Sequence, residues 1–190
     1  MKLHDLEELR ARISRFTSRL EDNSGVGFSH SYTFPNGETH HYRFNGVKSI
    51  EVFEDDLLSV FVWVWSMKDY LKEVAKDRGT DPRRIEEIVD SSSELQIVSD
   101  IANRAKHGEL NKSRSGYFAR LERPSLTCSQ KGIGKITVGA FDVTLDVSDP
   151  SEVDYKADIR SKSGATLGDA SNVLEKAIMA WETKGSQYVP

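Results

Sequence analysis

Residues 52–78, VFEDDLLSVFVWVWSMKDYLKEVAKDR, decide the fold. Valine and tryptophan suit strands, so the middle of this stretch has two readings. Its flanks favour a helix. Glu54, Asp55 and Asp56 place negative charge where a helix begins, and that end of the macrodipole is positive. The tail SMKDYLKEVAKDR keeps helical spacing and stops at Gly79. A middle that is apolar all round predicts a helix covered on most sides, with Trp63 and Trp65 in the core or at an interface.

Working towards the N-terminus, residues 39–44 and 28–34 read as a β-hairpin about Asn36-Gly37, because both turn positions tolerate positive φ. Residues 3–22 read as a helix. Its Leu6, Leu9, Ile13, Phe16 and Leu20 recur at alternating spacings of three and four, a seam that suits packing within the domain and dimerisation equally. Towards the C-terminus, Asp81-Pro82 opens a short helix. Ser91 and Glu94 form a capping-box pattern for a helix ending near Gly108. Residues 125–160 are β-rich and predict two or three antiparallel strands. Thr166 and Asp169 form a second capping-box pattern, opening a last helix over 167–184.

The expected fold is therefore α+β: a bundle of four to five helices with a β-hairpin and a small antiparallel sheet. One domain is expected over 1–190, built from an N-terminal helix (1–22), the hairpin (28–44), a helical core (52–108), the sheet (125–160) and the C-terminal helix (167–184).

Composition limits the functional classes. The chain has 190 residues, 37% hydrophobic and 29% charged, with a net charge of −4. It is acidic overall, with a pI near 5.8, so a globally basic nucleic-acid binder is excluded while a local basic patch is not. MKLHDLEELR is acidic and has no apolar centre, so no secretory leader is expected there. The longest apolar run, Leu57–Trp65, is far shorter than a membrane span of about 20 residues. A single cysteine, Cys128, excludes an internal disulfide and suits a reducing, cytoplasmic setting. Neither metal nor cofactor is expected.

The chemistry concentrates in ELQIVSDIANRAKHGEL, residues 94–110. On a helix Leu95, Val98, Ile101, Ala102 and Ala105 cover one side. Gln96, Asp100, Asn103, Arg104 and His107 share a polar stripe opposite them. Histidine exchanges protons near neutral pH, and a guanidinium grips phosphate. Read as a catalytic group, His107 is the general acid/base, with Asn103 and Asp100 beside it. Read structurally, Asp100, Asn103 and His107 bond to the loop after Gly108 and fix the turn into the sheet. Between Arg104 and Arg123 six basic residues face two acidic ones, so Arg104, Lys106, Lys112 and Arg114 are candidate phosphate or RNA contacts. From Asp142 to Asp158 the balance is reversed. His30, His40 and His41 lie on the hairpin. Because strand neighbours point to opposite faces, at most one of the adjacent pair joins His30. GIGKIT, residues 132–137, lacks the spacing of a phosphate loop.

The spacing D-x-x-N-x-x-K-H at Asp100, Asn103, Lys106 and His107 resembles a signature of small bacterial and phage proteins. These also carry a final helix with a tryptophan, matched here by Trp181 in DASNVLEKAIMAWE. The arrangement is similar to the HEPN-like helical group of toxin–antitoxin and anti-phage systems, over residues 52–110 and 167–184. Many members of that group are metal-independent ribonucleases, usually dimers with a composite site. Their pattern is an arginine, four to six residues, then a histidine. Arg104 stands only three positions before His107. The resemblance therefore assigns His107 as the histidine and Asn103 as its polar partner, and leaves the catalytic arginine unfilled. The expected function is a non-catalytic binding or regulatory module of phage or mobile-element type, acting with a second copy or another protein. The alternative is a HEPN-like ribonuclease or nucleotide-processing enzyme acting on RNA through His107. No membrane partner is expected.

Overall fold

The computed structural model describes residues 3–188. Five helices run over Leu3–Glu21 (α1), Ile50–Asp77 (α2), Arg83–Asp90 (α3), Ser93–His107 (α4) and Ala170–Gly185 (α5). Nine strands are Phe28–Thr33 (β1), Thr39–Asn45 (β2), Arg120–Leu121 (β3), Ser125–Cys128 (β4), Ile133–Val138 (β5), Asp142–Val147 (β6), Val153–Lys156 (β7), Asp158–Arg160 (β8) and Thr166–Asp169 (β9). The fold is mixed α and β, with sheets of four, three and two strands. Among the described residues no helix is long and apolar enough to cross a membrane.

The chain divides into two compact units. One holds the residues up to Thr17, Asp56–Arg123 and those from Ala157 onward; the other holds Ser18–Asp55 and Pro124–Lys156.

The first unit is mainly helical. Leu57, Val60, Phe61 and Val64 of α2 are buried with Ile85 and Val89 of α3, Leu95, Val98 and Ile101 of α4, and Val173 and Leu174 of α5. Each such side chain contributes roughly 1.5–3 kcal/mol by leaving water. Trp181 is buried, and its Nε1 donates to the Val64 carbonyl at 3.0 Å, which ties α5 to α2. Leu6, Leu9 and Ile13 of the α1 seam are buried, while Phe16 and Leu20 are half-buried. Trp63 is half-buried beneath the Arg12 guanidinium, 4.4 Å from the ring centroid. The strands β3, β8 and β9 form an antiparallel sheet in this unit.

The second unit holds the other two sheets. In the small one, β4 pairs antiparallel with β7. Tyr155 of β7 stacks on Phe53 with ring centroids 4.7 Å apart and donates its hydroxyl to the Lys48 carbonyl. Burial pushes the Tyr155 phenol up to about 12. The four-stranded sheet has the order β1-β2-β6-β5. Here β1 and β2 run antiparallel across Asn36-Gly37, β5 and β6 are antiparallel, and β2 and β6 are parallel. Strand alternation sorts the sheet's residues cleanly. Phe28, His30 and Tyr32 pair with Phe44, Tyr42 and His40, and the same face continues through Val143 and Leu145 to Ile136 and Val138. The opposite face is polar, with Ser31, Arg43, Thr144 and Thr137. His30 and His40 thus share the apolar face, while His41 points the other way and bonds to Ser31 Oγ at 2.8 Å.

Several local expectations need correction. The 125–160 region does not make one antiparallel sheet. Its strands are distributed over three sheets, and β6 pairs in parallel with a strand about a hundred residues earlier, joined also by Asn45 Nδ2 donating to Asp146 Oδ1 at 2.7 Å. Pairing depends on which edges meet in space, which local pattern does not encode. The α4 cap is Ser92, whose Oγ accepts from Leu95 N, and not Ser91, which ends α3. Three consecutive serines make that register ambiguous in sequence. Thr166 opens a strand rather than a helix; Asp169 caps α5, accepting from Asn172 N at 3.1 Å.

Candidate functional site

Helix α4 separates its polar stripe instead of presenting it as a unit. Asp100 is 1% exposed. Asn103 and Arg104 are half-buried, while Lys106 and His107 are exposed. Ala105, expected on the apolar side, is exposed too. The helix ends at Gly108, whose backbone N–H donates to the Arg104 carbonyl at 2.7 Å.

Asp100 is the centre of a filled polar cluster. Its Oδ2 accepts from Ser113 Oγ at 2.6 Å, Ser115 Oγ at 2.5 Å and Ala119 N at 3.2 Å; its Oδ1 accepts from Arg114 N at 2.8 Å. The two serine hydroxyls accept in turn from Phe118 N and Tyr117 N, each at 3.0 Å. The segment 113–119 is therefore wound about one carboxylate, which plays the part an anion plays in a backbone nest. The winding holds Phe118 at φ +52°, a left-handed conformation uncommon for a bulky residue. Lys162 Nζ lies 5.3 Å from the Phe118 ring centroid.

Asn103 and His107 do not join this cluster. Asn103 Nδ2 reaches Ser99 Oγ at 3.4 Å, within its own helix. Arg104 Nε is buried with no hydrogen-bond partner among the described residues. Lys106 and Lys112 are exposed.

Arg114 is committed to an ion-pair network. It meets Glu86 Oε2 at 2.6 Å and Asp90 Oδ1 at 2.7 Å, and its guanidinium stands 5.8 Å from the Trp65 ring. Lys72 also pairs with Glu86. Burial works to raise the Glu86 carboxyl, but hydrogen bonds from Lys72 and Arg114 outweigh it and hold the group below its ordinary 4.5. A depressed carboxyl contributes stability above its unfolded pKa and loses it as pH falls through the folded value. Arg114→Ala is therefore expected to cost about 1–2 kcal/mol at neutral pH, with a shallower loss of stability than wild type below pH 4.5. Urea titrations at neutral and acidic pH read both effects.

Two depressions lie at the other end of α4, of about 330 and 350 Å³, both bordered by Ser93, Glu94 and Lys176. Burial favours the protonated Glu94, but the helix N-terminus, the Ser93 and Ser92 hydroxyls and Lys176 hold its carboxyl below the ordinary value. Neither depression is lined by Asp100, Asn103, Arg104 or His107. Ser93 and His107 stand at opposite ends of a 15-residue helix, about 20 Å apart at 1.5 Å per residue. The sequence signal at this end was Ser91 with Glu94, which read only as a capping box. Among the described residues no group of three or more His, Cys, Asp or Glu side chains is placed to hold a metal ion. The chain matches no protein-family model, no curated protein and no solved structure.

Proposed function

We propose that this protein is a non-catalytic binding module. The supporting observation is the fate of Asp100: this buried carboxylate accepts from four donors of residues 113–119 and is committed to holding that segment. His107 lies exposed at the helix end, Arg114 is held by two carboxylates, and the unfilled arginine position agrees with both. The D-x-x-N-x-x-K-H resemblance supports a phage or mobile-element setting for such a module.

An RNA-cleavage assay in EDTA tests the reading. Purified wild type and His107→Ala are expected to be equally inert, with stabilities within about 0.5 kcal/mol of each other. Cleavage by wild type that His107→Ala abolishes at unchanged melting temperature would instead establish the ribonuclease alternative, with His107 as its acid/base group.

A further inference from the structure

We propose that Asn36 is a site of spontaneous deamidation, and that the fold spares its sequence twin, Asn45. Only two asparagines precede a glycine, in Asn36-Gly37 and Asn45-Gly46. In such a pair the glycine nitrogen can attack the asparagine side-chain carbon, because no Cβ hinders its approach. The bond from glycine N to Cγ forms, the Cγ–Nδ2 bond breaks, and ammonia leaves with the proton of the glycine N–H. Water then opens the five-membered imide at either carbonyl. One opening gives aspartate. The other gives isoaspartate, in which the main chain runs through the side-chain carbon. By sequence alone the two pairs are equivalent, and their surroundings separate them.

Asn36 sits at the tip of the β1–β2 hairpin, where it, Gly37 and Glu38 are all exposed. Gly37 has φ +88°, and a Cβ there would meet nothing within 4 Å, so the turn has room to rotate towards the ring geometry. The side-chain amide is held by the next residue but one. Glu38 N donates to Asn36 Oδ1 at 3.1 Å, on the oxygen where negative charge builds during attack. Glu38 Oε2 accepts at 2.8 Å from Asn36 Nδ2, the leaving nitrogen. One bond opposes the reaction: Gly37 N donates to the Phe34 carbonyl at 2.9 Å. At an exposed tip such a bond opens readily and water replaces the acceptor. Asn45 stands differently. It ends β2, an interior strand between β1 and β6. It pairs with Asp146 in the β2–β6 ladder, and its Nδ2 donates to Asp146 Oδ1 at 2.7 Å. Gly46 is hemmed in as well, since a Cβ there would fall 2.5 Å from the Val147 carbonyl oxygen. Ring closure turns the asparagine backbone away from the extended form. At Asn45 that rotation must first break the sheet, whereas at Asn36 it bends only a turn.

Conversion adds one negative charge beside Glu38, in a chain whose net charge is −4. The isoaspartate form also lengthens the main chain at the tip, next to the Thr33–Thr39 pair, whose hydroxyl oxygens are 3.0 Å apart. The test is incubation of the full native chain at mildly alkaline pH and body temperature. Peptide mapping by mass spectrometry reads each asparagine separately, and enzymatic methylation of isoaspartate reads the rearranged product. Asn36 is expected to convert at least about 100-fold faster than Asn45, because a strand interior opens far more rarely than a hairpin tip. In urea that unfolds the chain, the two are expected to convert at similar rates. Asn36→Gln, whose longer side chain closes a six-membered ring with difficulty, is expected to abolish the native isoaspartate signal. No conversion at Asn36 in the native chain overturns the proposal. So does conversion of Asn36 and Asn45 at one rate in the native chain, or an isoaspartate signal that survives Asn36→Gln. None of these outcomes depends on the RNA-cleavage result, so either reading can fail alone.

Discussion

Asp100→Ala is expected to lower the melting temperature by about 8–16 °C, the shift that about 4 kcal/mol produces in a chain of this size. The estimate follows from what the substitution strands. Two backbone N–H groups, of Arg114 and Ala119, and two hydroxyls, of Ser113 and Ser115, lose one shared acceptor. Ala119 is fully buried, so water cannot readily replace the carboxylate there. A buried donor left without an acceptor costs about 1–3 kcal/mol, and bonds to a charged acceptor sit at the upper end. Relaxation of the loop recovers part of the sum. Asp100→Asn keeps the shape but turns one oxygen into a donor facing N–H groups, so about half the loss is expected. Thermal melts followed by circular dichroism decide the matter. A shift of about 2 °C or less would show that the loop holds without the carboxylate, and would return Asp100 to the list of groups free for chemistry.

Gly27→Ala is expected to cost about 3–4 kcal/mol, against about 1 kcal/mol for Gly37→Ala. Both glycines have positive φ, +93° and +88°, so both replacements incur the left-handed penalty of an L-residue. They differ in surroundings. A Cβ at Gly37 meets nothing within 4 Å, whereas one at Gly27 falls 2.1 Å from the Phe44 carbonyl oxygen and 2.9 Å from Asn45 Cα. Both obstacles are backbone, and that backbone belongs to β2. Gly27 N also donates to the Val47 carbonyl at 2.8 Å, so the chain cannot retreat without breaking this bond. Urea unfolding of the two variants side by side separates the clash from the φ penalty. Equal losses would mean that the crossing before β1 opens without resistance.

The helices were legible because their signals are local. Apolar spacing of three and four, an acidic start and a glycine stop are contained within one turn or two, and α2 falls within two residues of the span read from residues 52–78. Turn chemistry at Asn36-Gly37 likewise located two strands. Register was less legible wherever equivalent residues were repeated: Ser91, Ser92 and Ser93 each suit a cap, and packing chose Ser92.

Three decisions belonged to the tertiary structure. The first is the burial of Asp100. Its helical position is that of a solvated face, and the segment that covers it, 113–119, has no periodicity of its own; a carboxylate becomes a core residue only when distant donors close over it. The second is the commitment of Arg114. The local excess of positive charge counts residues along the chain, but Glu86 and Asp90 reach Arg114 from α3, and Coulomb attraction depends on distance in space. The third is the four-stranded sheet. The sequence by itself determined which residues share a strand face, through the alternation of side chains. That β2 would lie parallel to β6, and that the resulting apolar face would stay open, depended on long-range backbone pairing, for which neighbouring residues carry no instruction.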